Sequence, residues 1–155
     1  MKKAERVAAF MDRQGDLPPL KLDSHYLGYF NCFNRQEYYE AHDVLEQLWL
    51  RTTGEDHLFF KGLIQFAGAF VHLKKQYYNP GHRVDGRRLG PAMRLFRLAE
   101  KNLVAYAPLH LHCNVSGLCD LSKTLSAKIE ASGFTMNPWN PDDAPQIVLA
   151  IESGK

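Results

Sequence analysis

The sequence predicts an all-α fold, a helical bundle built around a central antiparallel helix hairpin. Three observations predict it. Apolar residues recur at helical spacing along most of the chain. Two long helical segments are joined by a break of only a few residues at Thr52-Thr53-Gly54. The second of them is apolar nearly all round, which marks a helix buried among neighbours. At 155 residues the chain suits one domain. We read it as a core of about 25–133, a helical N-terminal extension and an irregular C-terminal tail.

Residues 1–14 have Val7, Ala8, Phe10 and Met11 on one side of a short helix, and Gly15 with Pro18-Pro19 ends it. Residues 24–31 form a second short helical piece. Asn34 reads as the N-cap of the next helix, with Glu37 three residues on completing a capping box. That helix runs over about 35–52. The one after it, about 56–78, carries Leu58-Phe59-Phe60 and Leu63-Ile64 through Leu73, with Gly62, Gly68 and Ala69 leaving room for a close neighbour. Such a short connection pairs the two helices antiparallel. Asn79-Pro80-Gly81 breaks the chain. Gly90-Pro91 opens a helix to about 106, with Pro91 at its first position. A last helix covers about 116–131 and Gly133 caps it. The tail from Pro138 to Pro145 is irregular and extended across the bundle.

The chemistry concentrates in the first hairpin helix. His42, Glu46 and Trp49 have the spacing His-x-x-x-Glu-x-x-Trp. Residues three and four apart stack on one helix face, so imidazole, carboxylate and indole project side by side. They border the apolar stripe of Tyr38, Ala41, Leu45 and Leu48. A polar pair there needs partners, because a buried unpaired polar group is costly. A His and a carboxylate at i and i+4 can hold one cation, as the paired histidines of zinc proteases do. Two ligands bind weakly, so the facing helix must contribute. With the turn centred near Gly54, His42 lies level with about residue 66 and Gln65 is its neighbour. His72 lies about 9 Å further along the axis, at 1.5 Å per residue. A stagger of one turn brings it into a site of His42, Glu46 and His72. Tyr39, Trp49 and Gln65 would contact or orient the ligand. Glu40 lies about 160° around the helix from His42, so it serves another partner, such as a neighbouring helix, a subunit or the basic segment.

The run Tyr39-Glu40-Ala41-His42-Asp43-Val44-Leu45-Glu46 with Phe33-Asn34 and Trp49, followed by Gly62-Leu63-Ile64-Gln65 and His72, resembles the small prokaryotic family called domain of unknown function 309. The resemblance covers roughly residues 25–130. It implies an all-helical fold and a His-x-x-x-Glu-x-x-aromatic motif suspected of binding metal, and no established activity. Asp43 stands where a Glu is common in that family.

Two functions follow as expectations. One is a ligand-binding module with a divalent metal, zinc or manganese, or a small ligand at the motif, hydrolytic if Glu46 or Glu40 acts as a base. The other is a noncatalytic helical module, its motif a buried network in which Glu46 orients His42 and Gln65 bridges the helices. Its charged surfaces would then bind a partner protein or a nucleic acid. Lys74 to Arg97 holds seven Lys or Arg residues against Asp85 alone, while Glu37 to Glu46 holds four acids and no Lys or Arg. Tyr77 and Tyr78 add stacking faces to the basic stretch. A net charge of +2 is low for a nucleic-acid binder. A weaker zinc candidate is His110-Leu111-His112-Cys113 with Cys119, which lacks a paired CxxC.

Other classes lack their signatures. Gly81, Gly86 and Gly90 form no phosphate-binding loop. No uncharged run reaches the roughly 18 residues of a membrane span. Cys32, Cys113 and Cys119 are an odd set of thiols, and Met1-Lys2-Lys3-Ala4-Glu5-Arg6 lacks the apolar core of a signal peptide. Both features suit a reducing, cytoplasmic setting. Neither enzymatic activity nor oligomeric state is fixed by the sequence.

Overall fold

A computed structural model describes residues 22–150; the helix expected over 1–14 lies outside the described residues. The architecture is all-α, as predicted. Helix α1 spans Ser24–Asn34, α2 Tyr38–Arg51, α3 His57–Tyr78, α4 Leu89–Leu103 and α5 Val115–Ala131. A single 3-10 turn, Val104–Tyr106, follows α4, and a two-stranded hairpin, β1 Leu109–His110 with β2 Cys113–Asn114, leads into α5.

Helix α3 is the axle of the bundle. It packs on α2 along one side and on α4 along the other. Phe66 and Phe70 show why its apolar residues run all the way round. Both rings touch Phe33 of α1, at 5.6 and 5.0 Å, and both touch Phe96 of α4, at 6.0 and 5.3 Å. Each fully buried ring is worth roughly 1.5–3 kcal/mol relative to exposure. Tyr29 donates from its hydroxyl to the Leu63 carbonyl at 2.6 Å and fastens α1 to α3.

The hairpin is antiparallel, as expected. Near its closed end Trp49 stacks on His57 at 5.1 Å, and at its open end the Lys74 ammonium donates to the Gln36 carbonyl at 2.8 Å. Gly54 sits between the helices at φ +88°, in a left-handed conformation that glycine adopts without strain.

Several boundaries differ from the sequence reading. Asn34 is not the N-cap of the motif helix. Helix α1 continues to Asn34, Gln36 takes a left-handed φ of 64°, and α2 starts on Glu37 without a side-chain cap. Asn34 instead makes two hydrogen bonds to Ile147, donating to its carbonyl at 2.8 Å and accepting from its N–H at 2.7 Å. Gln36 donates to the Pro141 carbonyl at 2.9 Å. The loop between α1 and α2 therefore binds the tail. Pro91 is the third residue of α4 rather than its first. It is tolerated because the first four N–H groups of a helix have no intrahelical acceptor. Gly133 does end α5, at φ 64°, with its N–H on the Glu130 carbonyl and the Phe134 N–H on the Ile129 carbonyl.

The tail crosses the bundle in extended form. Trp139 is buried, and its indole N–H donates to the Tyr38 hydroxyl at 3.0 Å. Asn137 donates to the Leu73 carbonyl at 2.8 Å.

Candidate functional site

Helix α2 carries the motif on its half-exposed side. His42 and Glu46 are one turn apart, and the His42 Nε2 stands 4.0 Å from a Glu46 oxygen. The other ring nitrogen, Nδ1, is 3.2 Å from an oxygen of Asp43. Asp43 is buried, at 2% exposure, while the His42 side chain is 31% exposed. A carboxylate on Nδ1 fixes the tautomer and orientation of an imidazole and leaves Nε2 as its working atom. Tyr39 lies along the His42 ring at 6.3 Å. Asp43 was absent from the residues that spacing singled out. Being next to His42 in sequence, it points about 100° away around the helix, and only the turn of the imidazole brings them together.

The facing helix does not deliver the residues expected of it. Gln65 accepts from the Asn102 amide of α4 at 2.8 Å. His72 meets Arg88, whose guanidinium is 3.0 Å from the His72 Nδ1 and is also held by Asp85, at 2.9 Å. An arginine is always a donor, so His72 Nδ1 accepts. Burial first, and the charges of Arg88, Lys75 and Arg94 after it, depress the His72 pKa to about 4. His72 is thus a neutral acceptor on the α4 side of α3. With Gln76, which accepts from the Arg88 N–H at 2.7 Å, it fastens the loop between α3 and α4. Trp49 stacks on His57, and its buried indole N–H has no acceptor among the described residues.

Among the described residues no group of three or more His, Cys, Asp or Glu side chains is arranged to hold a metal ion. That includes the loop histidines. His110 pairs with Asp56 at 2.7 Å and His112 contacts the Ala150 carbonyl at 3.2 Å, while Cys113 and Cys119 are buried thiols. Burial pushes the Cys113 thiol up to about 12, with the neighbouring Cys119 adding to the shift.

Beyond Tyr39 a second feature appears. A cleft of about 290 Å³ opens between the first turn of α2 and the last turns of α3, lined by Tyr38, Tyr39, Glu40, Val71, Lys74, Lys75, Tyr78 and Asn79. Glu40 lines this cleft together with Lys74 and Lys75, the start of the basic segment. The rest of that segment is partly self-neutralised: Arg88 pairs with Asp85, and Arg97 with Glu130 at 2.7 Å. Among the described residues no helix is long and apolar enough to cross a membrane.

Residues 26–84 match the family model described as a domain of unknown function, DUF309. The span takes in most of α1 with α2 and α3 and ends in the loop after α3, so the resemblance to the family is borne out over these residues, a shorter stretch than 25–130. No curated protein and no solved structure matches the chain.

Proposed function

We propose that this DUF309 chain is a ligand-binding helical module whose motif row, His42 with Glu46, takes a divalent cation of the zinc or manganese type. One observation carries the reading: the buried Asp43 carboxylate at 3.2 Å turns His42 so that Nε2 stands beside Glu46. A carboxylate behind the imidazole is the usual companion of a metal-binding histidine, because it raises the basicity of the ring. The donor set of one imidazole and one carboxylate suits a borderline cation better than calcium. It fits a weak, open site completed by water or a substrate, not a closed structural one. A bound cation would supply Lewis acidity to whatever occupies its remaining positions.

The residues expected to complete the site have other work: His72 accepts from Arg88 and Gln65 from Asn102. We therefore assign the cation to His42 and Glu46 alone. Cys32, Cys113 and Cys119 form no disulfide among the described residues, which suits a reducing, cytoplasmic setting for the protein.

The test is thermal melting of the full chain with zinc, manganese or calcium, alongside metal content after gentle purification. Binding only to the folded state raises the melting temperature. Zinc or manganese should raise it in the wild type, His42→Ala and Glu46→Gln should each abolish the rise, and His112→Ala should not. No shift, or a shift that survives His42→Ala, leaves the noncatalytic module as the better reading. Support for that alternative is the same Asp43–His42 contact, taken as an end in itself.

A further inference from the structure

We infer that the cleft between α2 and α3 binds a small organic acid with a planar apolar body and a second, hydrogen-donating group, the chemistry of an aromatic amino acid. Its volume of about 290 Å³ is at the small end of ligand pockets. Its walls are aromatic and aliphatic: Tyr38 and Val71 lie deeper, while the Tyr39 and Tyr78 rings stand 50% and 56% exposed at the rim. Half-exposed rings facing a cleft offer apolar area that a flat ligand removes from water.

The charges decide the class. Glu40 and Lys75 line the same cleft, yet among the described residues neither side chain is in an ion pair or hydrogen bond. Helix ends explain how each charge is tolerated alone. Glu40 lies in the first turn of α2 and Lys75 in the last turn of α3, so each complements its own helix dipole. The antiparallel hairpin then sets the two ends side by side, with opposite charges on either side of an apolar gap. Lys74, held by its bond to the Gln36 carbonyl at 2.8 Å, lines the same cleft and adds a second positive charge. A carboxylate on the ligand meets Lys74 and Lys75, and an ammonium or hydroxyl meets Glu40. A phosphodiester chain fits worse, because Glu40 repels it and Arg88 and Arg97 are already paired within the chain.

Titration calorimetry on the full chain tests this with three probes. Phenylalanine has all three features, 3-phenylpropanoate lacks the ammonium and phenethylamine lacks the carboxylate. Phenylalanine should bind saturably and each truncated probe about tenfold more weakly, the low end for a hydrogen bond to a charged group. Lys75→Gln should erase the preference over phenethylamine, and Glu40→Gln the preference over 3-phenylpropanoate. Lys61→Gln, an exposed lysine near the start of α3, should change neither. Circular-dichroism melts matching wild type show that the variants are folded. Equal binding of all three probes, no saturable phenylalanine binding, or preferences that survive both cleft variants would overturn the inference. So would binding of a ten-residue oligothymidine that Lys75→Gln weakens while phenylalanine fails to compete.

Discussion

His42 and His72 belong to facing helices of one hairpin, and the fold treats them in opposite ways. His42 has a carboxylate on either side and nearly a third of its side chain in water. His72 has an arginine on its ring nitrogen, two more cations nearby and a pKa held at about 4. The first environment suits a cationic guest; the second excludes one. The difference comes from which side of α3 each residue serves. On α2, His42 and Glu46 stay partly open to solvent, at 31% and 26%, whereas the α3–α4 side is closed by Gln65–Asn102 and His72–Arg88 hydrogen bonds. A metal reading that joins His42 to His72 would have to take His72 from its contact with Arg88.

The largest test is to break the closed seam. A Cβ on Gly62 would come within 2.7 Å of the Leu103 side chain and 3.3 Å of Asn102 Cβ, both on α4. Leu103 is fully buried, so it has little room to withdraw. Gly62→Val should therefore destabilise by about 2–3 kcal/mol, the upper range for overpacking, read by urea unfolding. The sequence reading left room at Gly62 for a close neighbour, and in the hairpin that neighbour would be α2. If the small residue served that side, zinc-dependent melting would be lost along with stability; we expect stability alone to change.

A second test uses the His72 environment. Its folded pKa, about 4, lies below the unfolded value of 6.5. Neutral His72 thus contributes stability that is fully present above pH 6.5 and lost as pH falls toward 4. The groups facing it are Arg88, Lys75 and Arg94, with Asp85 behind Arg88. Allowing for solvent screening of a half-buried ring, the loss should be about 1–2 kcal/mol. Carboxylates titrate in the lower part of this window, so the measurement is the difference between wild type and His72→Gln, which keeps an acceptor for Arg88. Identical stability–pH curves from 6.5 to 4 would show that His72 does not carry a depressed pKa.

What the sequence disclosed and hid follows from the range of the interactions. The hairpin was legible because helix periodicity and the Gly54 break are local. The i, i+4 pairing of His42 and Glu46 was legible for the same reason: angle around a helix is a sequence property. That angle left open whether Glu40 meets another helix, a subunit or the basic segment, and only the fold puts it in one cleft with Lys74 and Lys75. The partner of α3 was not. A helix apolar on every side gives no sign of which neighbour receives which polar residue, so Gln65 and His72 were expected toward α2 and face α4. Asn34 misled because Asn-x-x-Glu has the form of a capping box, while its amide is used on Ile147, more than 100 residues away. Asp43 was overlooked because its contact with His42 depends on a side-chain rotation that no periodicity encodes.

The smallest effect sharpens the contrast most. The reading of His42 as a buried structural partner predicts a cost of about 1–3 kcal/mol for His42→Ala, the usual penalty for stranding a buried group. The structure argues for less. The imidazole lies between Asp43 and solvent, so removing it admits water to the Asp43 carboxylate instead of leaving it dry, and water replaces most of a lost hydrogen bond. Its ring covers little of the core, which at this level of α2 is built from Ala41, Val44 and Leu45. We expect His42→Ala to lower unfolding free energy by less than about 1 kcal/mol, and by less than His72→Ala, which removes one of the contacts that hold Arg88 and its loop. Urea denaturation of the two alanine variants at pH 7 without metal decides it. The ordering His72 above His42 supports an open face held ready for a ligand. The reverse ordering would make His42 the structural residue of the pair, and the α2–α3 seam, not the α3–α4 seam, the one that the polar residues hold together.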